Sequence, residues 1–201
     1  MLSAEKIGPG VLALVVGPSG AGKDTLLDGA RDALADRSEF VFIKRQITRK
    51  ANPLAEDHDC ISEADYERLS QSGQNTLCWR AHGLGYVLPF SATDAIREGH
   101  MAIANGSRAA IPMALRRFDS LLVVHVTAPN PVLAERLAKR GRESAADIRE
   151  RLERANLALP SAPNLLTITN DGSASDGINA LVGGLMRSFA KLGTYPVGTT
   201  S

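Results

Sequence analysis

Five short apolar runs, 11–16, 40–43, 101–104, 121–126 and 165–168, stand out along the chain, and none shows a strict alternation of apolar and polar positions. Such runs predict strands buried on both faces. Between them, apolar residues recur at helical spacing over 25–34, 63–69, 111–118, 131–139, 145–157 and 178–192. Strands alternating with helices predict an α/β fold in which a parallel five-stranded sheet carries helices on both faces. The helix starts agree. Asn130-Pro131 supplies a capping side chain followed by a proline at the first helical position, and Ser62-x-x-Asp65 and Ser144-x-x-Asp147 resemble capping boxes. Residues 1–10 and 193–201 are rich in Gly, Pro, Thr and Ser and are expected to be loose.

Composition narrows the reading only slightly. With 201 residues, 44% hydrophobic and 22% charged, the chain suits one domain spanning 1–201. A net charge of +1 gives no reason to propose a nucleic-acid or membrane partner, so small molecules are the expected partners. Cys60 and Cys78 form no CxxC pattern, and His58 and His82 do not complete a zinc set. Both thiols are expected to be packing residues in a reducing compartment. The run at 11–16 is too short to span a membrane and no signal-like segment precedes it, so a cytoplasmic location is expected.

The candidate chemistry begins where the first apolar run enters Gly17-Pro18-Ser19-Gly20-Ala21-Gly22-Lys23 and a helical stretch follows at once. In a strand, Gly-x4-Gly-Lys, helix arrangement, glycines let backbone N–H groups converge on phosphate oxygens, backed by the positive end of the helix. Lys23 adds a mobile charge that can follow a transferring phosphoryl group. A plain glycine turn with a solvated lysine is the alternative, and the flanking strand and helix argue against it.

Asp24 stands where a Ser or Thr ordinarily helps hold Mg²⁺. An acid in a helix's first turn is favoured by the dipole whether or not it has another role. The functional alternative places Asp24 in the Mg²⁺ shell, directly or through water, with Thr25 as the hydroxyl if the register shifts by one. P-loop enzymes usually carry a carboxylate at the end of another strand, yet here the strand at 101–104 runs into Asn105-Gly106-Ser107-Arg108 with no acid from 101 to 117. A carboxylate swap explains both departures: the acid missing near Asn105 reappears at Asp24. At the same junction, backbone N–H groups beside Asn105 and Arg108 form a candidate second phosphate cradle, because an arginine at a helix start is unfavourable unless an anion is near.

Together, GPSGAGK, ITR, RLAKRGRESAADIRERLERA and the ND of LTITNDGS resemble the guanylate-kinase-like branch of the P-loop nucleoside monophosphate kinases. Within it, GPSGxGKD, RxITR, GQN, NGSR, RGRE and NDGS in that order are similar to the ribose 1,5-bisphosphate phosphokinases, from about residue 11 to about 185. The resemblance implies a P-loop kinase fold with an acceptor-binding subregion at 46–90 and an arginine-bearing lid at 140–151. It implies transfer of the γ-phosphoryl of ATP to the 1-phosphate of ribose 1,5-bisphosphate, giving 5-phosphoribosyl 1-diphosphate and ADP, in phosphonate breakdown. Lys23 and the lid residues Arg140 and Arg151 match the catalytic cations, Asn170-Asp171 the adenine-side loop, and Thr48, Arg49 and Tyr86 the acceptor-phosphate contacts. A phosphate acceptor is already nucleophilic, so no general base is required.

Departures from guanylate kinase itself bear on the acceptor. Lys50-Ala51-Asn52 replaces a Pro-Arg run, removing one phosphate arginine, and Val87 follows Tyr86 where a glycine is expected. Trp79 and Arg80 lie where the base-reading acid belongs, and no acid occurs from 74 to 90. An acid pairs with the guanine N–H edge, so its loss removes base selection. Acids interleave with arginines from 136 to 154, the pattern of an ion-paired helix surface, so Arg136 ranks below Arg140 and Arg151. Arg45 and Lys44 are taken as flanking a strand, and His58 and His82 as loop residues. Two other functions compete: a guanylate-type kinase with altered base recognition, and a binding module without catalysis. The first needs a base-reading array, and the second has little need of an intact glycine run and Lys23.

Overall fold

The computed structural model describes residues 5–48, 58–72, 77–139 and 144–193. In chain order the elements are β1 (Ile7–Val16), α1 (Lys23–Ala33), β2 (Phe40–Ile43), β3 (Gln46–Ile47), β4 (Asp59–Cys60), α2 (Glu63–Gln71), β5 (Leu77–Ala81), β6 (Leu84–Leu88) and α3 (Phe90–Arg97). Then follow β7 (Met101–Asn105), a 3₁₀ turn at Arg108–Ala110, α4 (Ile111–Arg117), β8 (Phe118–Thr127), α5 (Asn130–Lys139), α6 (Ala145–Ala155), β9 (Leu165–Thr169) and α7 (Ala174–Leu192).

The main sheet has five parallel strands in the order β2-β7-β1-β8-β9. Strand β1 sits at its centre, which is why residues 11–16 are apolar without interruption: all six are wholly buried. Successive side chains point to opposite faces. Leu12, Leu14 and Val16 join α3, α4 and a second sheet in one core layer, and Val11, Ala13 and Val15 join α1, α5 and α7 in the other. Because all strands run the same way, their C-terminal ends and the loops that follow collect along one edge.

The second sheet has four strands in the order β4-β3-β6-β5, with β6 antiparallel to both neighbours. It occupies the subregion expected at 46–90, but its strands escape sequence reading because they are two to five residues long and unevenly buried. His82 and Gly83, both at positive φ (52° and 74°), make the two-residue turn that joins β5 to β6.

Several boundaries differ from expectation. Residues 7–10 are not loose: β1 begins at Ile7, which pairs with Phe118 before a bulge. Phe118 accordingly opens β8 rather than ending α4, since its ring is needed in the core. Asn130 is the first residue of α5 rather than its cap, and Leu157 lies beyond α6 with 61% of its surface exposed. Helix α7 starts four residues before the periodicity at 178, on a Ser173/Asp176 capping box that the apolar pattern alone does not mark. Ser62 and Ser144 cap α2 and α6 as expected. Cys78 is half-buried, but Cys60 is exposed and packs against no core.

Candidate active site

The loop after β1 is shaped by conformations that only glycine takes easily. Gly17 lies at φ 152° with its Cα against the carbonyl of Val126, and Gly22 lies at φ 87° where a Cβ would stand 2.5 Å from Asn170 Nδ2. Gly22 is the N-cap of α1 and offers no side chain to its N–H groups. That end of the helix therefore presents donors and partial positive charge to whatever anion the loop receives. Lys23 Nζ folds onto the carbonyls of Gly17 and Pro18, each at 3.0 Å. Asn170 clamps the loop from the end of β9: it is buried, and its Nδ2 donates to Ala21 O at 2.8 Å. Its neighbour Asp171 is exposed.

Asp24 and Thr25 turn to different clefts, as consecutive helical residues must, about 100° apart. Asp24 shares a cleft with Arg31, Lys44, Arg45 and Asn105, and Thr25 lines another with Gly20, Arg136, Lys139 and Asn170. Asn105 Nδ2 donates to Asp24 Oδ1 at 2.7 Å, so the amide at the end of β7 and the acid of the loop helix are direct partners. Among the described residues, no group of three or more His, Cys, Asp or Glu side chains is placed to hold a metal ion on its own.

Helix α6, which includes part of the segment expected to form a lid, reaches the loop. Arg151 Nη1 donates to Ser19 Oγ at 2.9 Å. Arg140 lies outside the described residues, as does Arg49. Arg108 is engaged with α6: its guanidinium donates to the carbonyls of Arg154 (2.7 Å) and Ala155 (2.9 Å), satisfying the C-terminal end of that helix. Arg154 forms an ion pair with Glu150 and stands 3.4 Å from His82 Nδ1, so the hairpin tip also touches α6. Partial desolvation, followed by the charges of Arg154, Arg151 and Lys23, holds the His82 imidazole below its usual pKa.

In the second sheet, Thr48 bridges β3 and β6, accepting from Gly85 N at 2.9 Å. Glu63 lies within hydrogen-bond reach of Thr48 and forms an ion pair with Arg80. Tyr86 is buried, stacked on Trp79 with centroids 5.4 Å apart, and Arg45 lies over its ring at 4.9 Å. Trp79 Nε1, Ser107 Oγ, Arg108 Nε and His125 Nε2 are buried with no hydrogen-bond partner among the described residues. They border one region: Trp79 belongs to the core between the sheets, β5 packs on the 3₁₀ turn that begins at Arg108, and Arg108 and Lys23 act on His125.

Sequence reading underweighted two arginines. Arg136 Nη1 donates to Asn170 O at 2.9 Å and lines the cleft of Thr25, and Arg45, which flanks β2 and β3 as expected, is also buried. A cation four residues before Arg140 in the sequence was the only signal for the first, and position after a strand end the only one for the second.

A parallel sheet of this order with a glycine-rich loop and Lys23 at the end of its central strand defines a P-loop kinase. A family model described as an AAA domain matches residues 14–156. Among solved structures, the chain is similar in fold to a guanylate kinase from Anaplasma phagocytophilum, with a TM-score of 0.61 at 15% identity over 94% of this chain and 89% of that one. Curated relatives are more specific. The chain is 41% identical to ribose 1,5-bisphosphate phosphokinase PhnN of Agrobacterium fabrum, over 88% of this chain and 97% of that protein. It is 44% identical to the PhnN of Methylobacterium radiotolerans, over 87% of this chain and 96% of that one. It is also 42% identical to a bifunctional ribose 1,5-bisphosphokinase-thymidine phosphorylase of Cupriavidus pinatubonensis, over 93% of this chain but only 31% of that longer protein. This chain belongs to the ribose 1,5-bisphosphate phosphokinase family.

Proposed function

We propose that the chain transfers the γ-phosphoryl of ATP to the 1-phosphate of ribose 1,5-bisphosphate, giving 5-phosphoribosyl 1-diphosphate and ADP in the cytoplasm. The observation that carries this reading is the pairing of a complete phosphate loop, reached by Arg151 from the lid, with an acceptor side built on Arg45 and Tyr86. No acid occurs from 74 to 90 to read a base.

Lys23 follows the transferring group, and Arg151, with Arg140, neutralises its charge. Thr25, Asn170 and Asp171 serve the nucleotide side, and Thr48, Arg49, Tyr86 and Asn105 the acceptor side. Arg108 acts by holding the lid as well as by its charge. The donor set suits Mg²⁺, which takes one or two carboxylates and completes its shell with phosphate and water oxygens. Asp24, exposed in the first turn beside Asn105, is the residue that would hold it; Thr25 faces the other cleft. Bound there, Mg²⁺ would supply charge neutralisation for the phosphates.

The test is ADP release from MgATP with ribose 1,5-bisphosphate in one reaction and GMP in the other. Turnover with the sugar alone is expected. Turnover with GMP at a comparable kcat/KM overturns the reading in favour of a nucleotide kinase, and no turnover with either favours a binding module.

A further inference from the structure

Helix α6 touches both the phosphate loop and the second sheet, through two of its arginines. Arg151 donates to Ser19 Oγ in the loop at 2.9 Å. Arg154 follows three residues on, on the same side of the helix, and places Nη1 3.4 Å from His82 Nδ1 at the tip of the β5–β6 hairpin. Its Nη2 donates to Glu150 one turn earlier, which steadies the guanidinium. From the other side, Arg108 fixes the last turn of α6 through the carbonyls of Arg154 and Ala155, and β5 packs on the 3₁₀ turn that Arg108 opens. The end of α6, the turn at Arg108–Ala110 and the hairpin thus meet in one junction, although they come from separate parts of the chain.

His82 is the member of this junction that the turn alone does not explain. It is the single non-glycine residue at positive φ among those described, in a turn that Asn, Asp or Gly holds more easily. The contacts of the ring, not the needs of the backbone, therefore account for an imidazole there. A guanidinium has only donors, so Nδ1 is the acceptor and the ring is neutral, with its proton on Nε2. The charges acting on the ring favour that state, since Arg154 and Arg151 of α6 and Lys23 of α1 are all cations. Arg80, on the same hairpin, is turned to Glu63 and Glu67 of α2. We propose that His82 is a positioning residue: by accepting from Arg154 it ties the hairpin to α6, so that a nucleotide bound at the phosphate loop also orders the hairpin of the second sheet. Phosphate oxygens hold a guanidinium more strongly than a hydroxyl does, so a nucleotide at the loop tightens the hold on Arg151 and, through the helix, on Arg154. The inference needs a nucleotide at the phosphate loop and does not depend on which acceptor the second sheet receives.

The test is amide hydrogen exchange in α6 and in the hairpin tip, with and without a non-hydrolysable MgATP analogue, in wild type, His82→Gln, His82→Lys and Arg154→Met. In wild type the analogue should slow exchange in α6 and, by about 5-fold, in the hairpin, the low end of coupling between sites because the contact is exposed. His82→Gln, whose side-chain carbonyl also accepts, should keep most of that effect. His82→Lys sets a fixed cation against Arg154, and Arg154→Met removes the donor. In both, slowing in the hairpin should fall below about 2-fold while α6 still responds. Gln and Lys burden the turn alike, so a merely structural role for His82 does not separate them. Gln and Lys variants that behave alike, or a wild type in which the analogue protects the phosphate loop but not the hairpin, overturn the proposal. If His82→Lys does not fold, Arg154→Met decides by the same comparison with wild type. A wild type in which the analogue protects nothing removes the nucleotide reading and this inference with it.

Discussion

Gly22 shows how closely side-chain size and backbone shape are coupled in the phosphate loop. At φ 87° any Cβ strains the backbone and meets the Asn170 amide, so Gly22→Ala is expected to cost about 1–3 kcal/mol in unfolding measurements. Nucleotide affinity should fall with it, because Asn170 can no longer hold the Ala21 carbonyl. Asp24 and Asn105 supply a second test. On the proposed exchange of carboxylate and amide between these partners, Asp24→Ser lowers kcat by at least about 100-fold and raises the Mg²⁺ requirement, and adding Asn105→Asp recovers part of the loss. An Asp24→Ser enzyme with unchanged Mg²⁺ dependence contradicts that exchange. The loop glycines and Lys23 were legible in the sequence because their spacing is local. The Asp24–Asn105 contact joins residues 81 apart, so its two halves were visible as oddities and only the fold shows them touching.

The same distinction holds for strands and helices. The long buried runs and most helices emerged from the apolar pattern, whereas α3 (Phe90–Arg97) and the second sheet did not, the sheet because its strands are short and find their partners through non-local pairing. Helix α6 gives the reason function was harder to read than fold. It has no fully buried residue: Leu152 and Ala155 pack only at the margin of the core, and polar contacts add to them, Arg151 to Ser19, Arg108 to its last carbonyls and His82 beside Arg154. A helix with so little buried surface moves at smaller cost than a core helix, which suits the lid proposed for this segment. Arg108→Met should loosen its last turn by about 1–2 kcal/mol, seen as faster amide exchange in α6 with little change elsewhere. Exchange that rises equally across the main sheet would mean that Arg108 supports the whole core instead.

Across the whole molecule, the charges gathered at the strand ends make stability depend on pH. His125, half-buried at the end of β8, is kept below its usual pKa by desolvation first and then by Arg108 and Lys23. The unfolded chain takes up this proton near pH ~6.5, so the stabilising contribution is fully present above that value and is lost as pH falls toward the lower folded pKa. His125→Gln should flatten the fall in Tm between pH 7 and 5.5; an unchanged slope assigns the acid sensitivity elsewhere.

The same gathering of charge at one edge is what the proposed reaction needs, with a nucleotide on one side of the loop helix and a doubly phosphorylated sugar on the other. Phosphorus NMR with ATP labelled by ¹⁸O in its γ-phosphoryl group tests this most directly. With ribose 1,5-bisphosphate and Mg²⁺, a 1-diphosphate should appear whose outer phosphorus alone carries the isotope shift, while GMP gives no new diphosphate. Label on inorganic phosphate without a sugar diphosphate, or a labelled diphosphate from GMP, would contradict it.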